Sequence, residues 1–310
     1  MDEDLKLIFK KQGYAFAGEN SAVKMCHWFR ESILHNRPCY KETFYGIRTH
    51  RCIQMTPAFN QCTQNCLFCW RYQAFNETYI KNPDDPKEIV ENSIELQRKL
   101  ISGYGGNPQT DRRKFIEAQE PKHVAISLTG EPTLYPYLGD LIREYHRKGI
   151  TTFLVTNGTM PEVLEKLDPL PTQLYITVAA PNEEIYKKLL SPMIPKGWER
   201  LNRTLELLPS LNTRKVIRHT LVKNWNLEYL DEYAKLDMKA EPHFIEPKGY
   251  VYVGFSRERM TKENMPSHVE IQEFSRKIAE LTGYYVMDER EDSRVVLLQK
   301  NKNIPKIRDN

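Results

Sequence analysis

No cysteine follows Cys69, although the chain runs to residue 310. All six (Cys26, Cys39, Cys52, Cys62, Cys66 and Cys69) lie in its first quarter. That distribution excludes a disulfide framework spread through the fold, as in small secreted domains. The chain also lacks any apolar run near the ~20 residues that a membrane helix requires. Its start, MDEDLKLIFKK, is acidic with a very short apolar run, which is not the pattern of a secretory signal. Internal repeats and low-complexity tracts are missing too, which argues against a solenoid or a linker-rich array. Charge of one sign is scarce: 45 Lys+Arg against 41 Asp+Glu leave +4, too little on its own to mark a nucleic-acid binder. A cytoplasmic chain is expected. In that reducing compartment clustered cysteines point to metal or redox chemistry.

What is present is a core and a rhythm. With 40% hydrophobic residues, the length suits one large α/β domain or two ordinary ones. From about residue 50, strand and helix patterns alternate. RCIQMTP reads as a strand entering the cysteine loop. DPKEIVENSIELQRKLIS reads as a helix capped by Asp85 and opened by Pro86, with Ile89, Ile94 and Leu100 at helical spacing. Further strands are expected at 123–128, 151–156, 173–180, 214–222 and 242–248. Helices are expected between them: one ending at Gly149, one over MPEVLEKL, two near 182–190 and 197–208, and one over NLEYLDEYAKL. About six βα steps imply a parallel sheet with right-handed crossovers. The fold class is therefore α/β, an incomplete (β/α)6 barrel, with an open doubly wound sheet as the alternative. Three segments are expected: a 1–49 extension, the partial barrel at 50–250, and a 251–310 extension with one helix and two strands.

Such folds carry their chemistry at the C-terminal ends of the strands. The loops there are unusual: CTQNCLFCW (62–70) after the first strand, TGEP (129–132) after the second, TNGT (156–159) after the third. Core building alone does not ask for this. The CX3CX2C spacing of Cys62, Cys66 and Cys69 is not that of paired zinc knuckles, although a zinc site could recruit His50 or Cys52. Three close cysteines suit a 4Fe–4S cluster whose fourth iron stays open to a ligand that is not protein.

CTQNCLFC, with Phe68 before its last cysteine, resembles the signature of radical S-adenosylmethionine enzymes. LTGEPTL resembles that superfamily's GGEP element, with Thr129 in place of the first glycine, and VTNGT resembles its third-strand element. The resemblance implies that Gly130, Glu131, Pro132, Thr156 and Asn157 contact bound S-adenosyl-L-methionine. It also implies that an electron from the cluster generates a 5′-deoxyadenosyl radical, which abstracts hydrogen from the substrate. The cofactor does the hard chemistry, and the protein positions it and excludes water.

Cys26, Cys39 and Cys52 repeat as CX12CX12C. Scattered buried cysteines are the plain alternative; the regular pattern better fits a second three-cysteine cluster. Two N-terminal triads followed by SLTGEPTLYP and TNGT resemble the tRNA 4-demethylwyosine synthases, from about Cys26 to about Gly254. Many eukaryotic members carry an N-terminal flavodoxin-like domain; this chain resembles the stand-alone archaeal form. The resemblance then implies two 4Fe–4S clusters, S-adenosyl-L-methionine, pyruvate, tRNA(Phe) carrying N1-methylguanosine, and an external flavodoxin- or ferredoxin-like electron donor. It further suggests that Lys41, two residues after Cys39, forms an imine with pyruvate, where a lysine is otherwise usually a surface residue. The rival readings are another radical enzyme with an auxiliary cluster, such as an activase of a glycyl-radical partner, and a zinc-stabilised RNA-binding protein.

For the RNA, the segment 36–81 carries Arg37, Lys41, Arg48, Arg51, Arg71 and Lys81 against Glu42 and Glu77, a net charge as large as the whole chain's. A positive patch near the cysteines is expected to face phosphates. Trp70, Tyr72 and Phe75 beside the loop suit base stacking, though core packing is the commoner role of any one aromatic. The basic stretches RRK (112–114), RKVIRH (214–219) and KNKNIPKIR (300–308) are further phosphate candidates or simply solvated faces.

Overall fold

Val, Ile and Leu dominate the central strands on one face, and that face is buried under helices. The computed structural model describes residues 3–73 and 77–307. Its strands in chain order are β1 (Tyr14–Phe16), β2 (Ala22–Lys24), β3 (Cys52–Thr56), β4 (His123–Ile126), β5 (Thr151–Thr156), β6 (Gln173–Thr177), β7 (Arg214–Leu221), β8 (Phe244–Gly249), β9 (Tyr285–Arg290) and β10 (Val295–Gln299). They form one sheet in the order β1-β2-β3-β4-β5-β6-β7-β8-β10-β9. From β3 to β8 all neighbours are parallel, which is the six-step partial barrel. The β1–β2 hairpin joins β3 antiparallel on one side, and β10 joins β8 antiparallel on the other.

The two extensions thus belong to the same sheet as the barrel. The N-terminal strands were not legible because three residues cannot display a period of two. The helix pattern held where caps are strong. The Asp85 carboxylate accepts from Lys87 N at 2.9 Å and Glu88 N at 3.1 Å, and Pro86 opens the helix Pro86–Ile101. Asp85→Ala is expected to lower stability by about 1 kcal/mol. A shift in the chemical-denaturation midpoint at constant slope checks this. The Ser267–Glu270 capping box starts His268–Thr282, and Gly283 ends it at φ +76°.

One expected helix differs. Residues 182–190 split into a single turn, Glu183–Ile185, and a wider π turn, Tyr186–Leu190. The wide turn and the residue after it turn carbonyls outward, and the cysteine loop docks on them. Leu67 N donates to Leu189 O at 2.9 Å and Asn65 N to Ser191 O at 3.0 Å. A π turn at a functional loop is the usual place for one.

The sheet has two buried faces. Ile53, Met55, Val124, Ile126, Leu154, Leu174, Ile176, Ile217 and Ile245 pack beneath the outer helices. On the opposite face Phe153, Tyr175, Val216 and Phe244 meet Tyr40, Phe44 and Tyr45 of the short helix Tyr40–Tyr45. That helix from the N-terminal extension fills the inner side of the partial barrel and sets the floor of the site.

Candidate active site

β3 ends at Thr56, and the chain then crosses the ends of β4, β5 and β6. Four sets of bonds hold this crossing. Thr56 Oγ1 donates to Thr129 O at 2.6 Å, Glu131 N to Gln61 O at 2.7 Å, Met193 N to Thr63 O at 2.8 Å, and Arg259 Nη2 to Cys69 O at 2.5 Å. The loop therefore presents Cys62, Cys66 and Cys69 together in the wall of a cavity of about 450 Å³.

Burial pushes the Cys62 thiol up to about 12, with Glu131 and Cys69 adding to it, and burial raises Cys66 as well, with Cys69 and Cys62 adding to it. Such thiols stay protonated unless a cation takes the proton's place, and a coordinating metal does so outright. Among the described residues no group of three or more His, Cys, Asp or Glu side chains closes around a single ion. Ligands of a cubane each take a different iron, so they surround the cluster rather than share one ion. The donor set fits an iron–sulfur cluster.

The expected contacts of TGEP and TNGT divide into two roles. Gly130 and Thr129 line the cavity. Gly130 has φ +68°, and a Cβ there would lie 1.8 Å from the Ala58 carbonyl oxygen, so no other residue fits. Thr129 is where this chain departs from GGEP, and its carbonyl accepts from Thr56 Oγ1. Glu131 sits behind the wall. Its buried carboxylate accepts from Thr133 Oγ1 at 2.7 Å, Thr156 Oγ1 at 2.5 Å and Asn157 N at 2.8 Å. Pro132 is also buried and opens the short turn Pro132–Leu134. Asn157 Nδ2 bonds Thr63 Oγ1 at 2.8 Å and lies 3.9 Å from Cys62 Sγ. These residues tie the ends of β4 and β5 to the cysteine loop.

The other triad also converges. Cys26 caps the helix His27–His35, Cys39 caps Tyr40–Tyr45, and Cys52 opens β3. Each pair interacts electrostatically, and burial pushes Cys39 up to about 11 and Cys52 to about 12. His50, a possible zinc ligand from sequence, is instead committed to Glu117 at 2.7 Å. Lys41 lies between the triad and the sheet. Its Nζ is 4.7 Å from the centre of the Tyr175 ring and 4.9 Å from that of Phe153. Burial holds its pKa below the ordinary lysine value, and the Arg218 guanidinium adds to that.

The inner face supplies residues that the sequence motifs do not assign to the site. Thr177, Arg218, Thr220 and Lys248 line the cavity from β6, β7 and β8. RKVIRH, expected as a strand whose cations are phosphate candidates or a solvated face, is that strand, and its cations point to three different places. Arg214 bonds Pro305 O, Lys215 bonds Leu208 O, and Arg218 bonds Glu246. The alternation around Val216 was the available signal, since it puts Arg218 and Thr220 on one face.

The positive segment is likewise dispersed. Arg71 is buried in the cavity wall, donates to the Tyr14 hydroxyl and stacks on the Trp70 ring at 3.0 Å. Arg37, Arg48 and Arg51 pair with Glu31, Glu117 and Glu120. Arg113 of RRK pairs with Glu117, and Lys300 of the C-terminal stretch pairs with Glu241. Trp70 is exposed at the cavity mouth and Tyr72 packs on Phe255, while Phe75 and Arg308 lie outside the described residues.

Known proteins match this architecture. A family model described as wyosine base formation covers residues 239–300, and one described as the radical SAM superfamily covers 112–236. S-adenosyl-L-methionine-dependent tRNA 4-demethylwyosine synthase of Pyrococcus abyssi is 53% identical over 307 residues, 97% of this chain and 90% of its own length. Its namesake from Methanocaldococcus jannaschii is 42% identical over 98% of this chain and 99% of its own. A solved structure described as TYW1 with a lysine-pyruvate adduct bound superposes with a TM-score of 0.88 at 41% identity, covering 98% of both chains. With relatives this similar over nearly the full chain, it belongs to the S-adenosyl-L-methionine-dependent tRNA 4-demethylwyosine synthases, a family of radical SAM enzymes.

Proposed function

We propose that this chain condenses N1-methylguanosine of tRNA(Phe) with pyruvate to give 4-demethylwyosine, in wybutosine biosynthesis. One observation carries the residue assignment: two cysteine triads flank one barrel interior. Arg71, in the cavity wall, interacts electrostatically with Cys69 of one triad and Cys26 of the other.

Cys62, Cys66 and Cys69 hold the 4Fe–4S cluster that binds S-adenosylmethionine. Cys26, Cys39 and Cys52 hold a second. The bound groups supply a one-electron cleavage of the sulfonium and hydrogen abstraction from the methyl group of the base. The chain's own residues do the rest. Gly130 lets the backbone approach the cofactor. Glu131 and Asn157 fix the loop that carries the ligands. Lys41 attacks the keto carbon of pyruvate, forming C=N and releasing the keto oxygen as water. A TYW1 relative at 41% identity is described with a lysine-pyruvate adduct, which supports this step. An external flavodoxin- or ferredoxin-like donor supplies electrons, and a tRNA substrate suits a cytoplasmic enzyme. No helix among the described residues is long and apolar enough to cross a membrane.

The test is anaerobic reconstitution, then incubation with dithionite, S-adenosylmethionine, labelled pyruvate and methylated tRNA(Phe). Label in a tricyclic nucleoside, with two clusters' worth of iron per chain, is expected. Iron for a single cluster rejects the second site. Full iron loading with no label in the RNA rejects pyruvate as the carbon source.

A further inference from the structure

The cavity is lopsided in charge. Arg71, Arg218 and Lys248 line it, and among the described residues no Asp or Glu does. Arg71 is tied to Tyr14 and Trp70 at the mouth. The other two stand at the inner end. Strand register pairs Thr177 of β6 with Arg218 of β7, and Arg218 with Glu246 of β8.

Arg218 is fixed in place. Its Nε donates to Glu246 Oε2 at 3.0 Å and its Nη2 to the same oxygen at 2.8 Å. Nη2 also reaches the Tyr40 hydroxyl at 2.7 Å. Glu246 is fully buried and takes a further bond from the Tyr45 hydroxyl. Among the described residues Nη1 of Arg218 makes no hydrogen bond, and Arg218 lines the cavity, so this nitrogen has hydrogens to give a bound carboxylate. Lys248 gives one hydrogen to Ser293 O at 2.6 Å and has two more. One aromatic ring relates these groups to the imine site. The Arg218 guanidinium carbon is 4.6 Å from the centre of Tyr175, and Lys41 Nζ is 4.7 Å from the same centre.

We propose that Arg218, oriented by Glu246 and seconded by Lys248, binds the carboxylate of the α-keto acid while Lys41 engages its keto carbon. This rests on the assignment of Lys41 above. The fork of Arg218 is pre-aimed by a buried carboxylate, so little ordering cost falls on the substrate. A keto acid held at both ends presents its methyl carbon in one direction, as coupling to a base radical requires. Arg218 is thereby a substrate-binding residue, and Glu246 a positioning residue that acts through it. The anchor also sets specificity: a 2-oxo acid fits, and its neutral amide does not.

The experiment is borohydride trapping of labelled pyruvate on the reconstituted holoenzyme, read as the pyruvate concentration giving half-maximal labelling. Arg218→Gln is expected to raise that concentration on the order of 100-fold, as does loss of one partner of a buried charge pair. Arg218→Lys is expected to recover part of it. Arg218→Gln strands Glu246 and is the variant at risk of misfolding, so the wild-type enzyme provides a second arm. It is expected to trap pyruvate in strong preference to pyruvamide. Equal trapping of the two compounds overturns the anchor. So does an unchanged half-maximal concentration in both variants while the label remains on Lys41. A shift in S-adenosylmethionine affinity with normal pyruvate dependence also overturns it, reassigning Arg218 to the cofactor's carboxylate. Label on another lysine of the wild-type enzyme is a different failure, that of the imine assignment itself.

Discussion

A Cys66→Ala enzyme releases no 5′-deoxyadenosine from S-adenosylmethionine and carries one cluster fewer than wild type. Cys66 lies in the cavity wall between its two partners, and its sulfur is 3.4 Å from Gln64 Oε1. Alanine removes one of three thiolates. The nearby polar groups are engaged elsewhere: Gln64 donates to the Tyr186 hydroxyl at 2.9 Å, and Asn157 to Thr63. The backbone is insensitive to the change, because the loop is held by its neighbours Asn65 and Leu67 on the π turn. Lost activity therefore reports lost ligation rather than lost fold. Chromatographic assay of 5′-deoxyadenosine with iron analysis checks it. Cys39→Ala makes the contrast: it too lowers the iron by one cluster, but leaves Cys62, Cys66 and Cys69 in place. Full cleavage by Cys66→Ala would falsify the assignment of the radical-generating cluster to this loop.

Why these cysteines were legible, and Arg218 was not, has a physical answer. Local spacing of Cys62, Cys66 and Cys69 is itself the geometry of the site, since all three share one loop. Cys26, Cys39 and Cys52 are farther apart in sequence, yet two sit at helix N-caps and one at a strand start, the positions where a chain turns inward. The barrel strands were readable because each is a short apolar run bounded by turns, and TTFLVT was bounded to the residue. Asp85 announced its helix through a side chain that bonds its own backbone.

Charge was misleading for the opposite reason. A count along the chain cannot say which cations are buried. Arg71 is placed by Tyr14, an N-terminal strand residue, and by Trp70, while Arg218 is placed by Glu246 of one segment and by Tyr40 and Tyr45 of another. Those partners come together only when the N-terminal extension is laid inside the barrel. Likewise the bonds by which Thr156 and Asn157 of TNGT hold the Glu131 carboxylate behind the wall are not visible in the sequence. The motifs converge on one cavity, and the division between its wall and its scaffold needed the third dimension.

Lys41→Ala makes no tricyclic base, and borohydride no longer fixes labelled pyruvate to the chain. The competing amine is Lys248, which lines the cavity and whose pKa burial lowers to about 8. Geometry separates them. Lys248 Nζ is held by Ser293 O at 2.6 Å and lies over Tyr40, so attack on a ketone would first break a bond to its own strand neighbourhood. Among the described residues Lys41 Nζ makes no hydrogen bond; it lies over the ring faces of Tyr175 and Phe153, which leave a nitrogen lone pair unengaged once the proton has gone. It stands next to Cys39 and Cys52, so an imine formed there has its keto acid beside the second triad. In the proposed reaction the base amine then displaces the lysine by transimination: C=N passes from Nζ to the base nitrogen and free Lys41 returns. The proposed site of S-adenosylmethionine cleavage is the cysteine loop rather than Lys41, so Lys41→Ala is expected still to release 5′-deoxyadenosine while wyosine formation stops. Peptide mapping of the borohydride-reduced adduct decides between the two lysines. A labelled peptide containing Lys248, or normal product from Lys41→Ala, transfers the role away from Lys41.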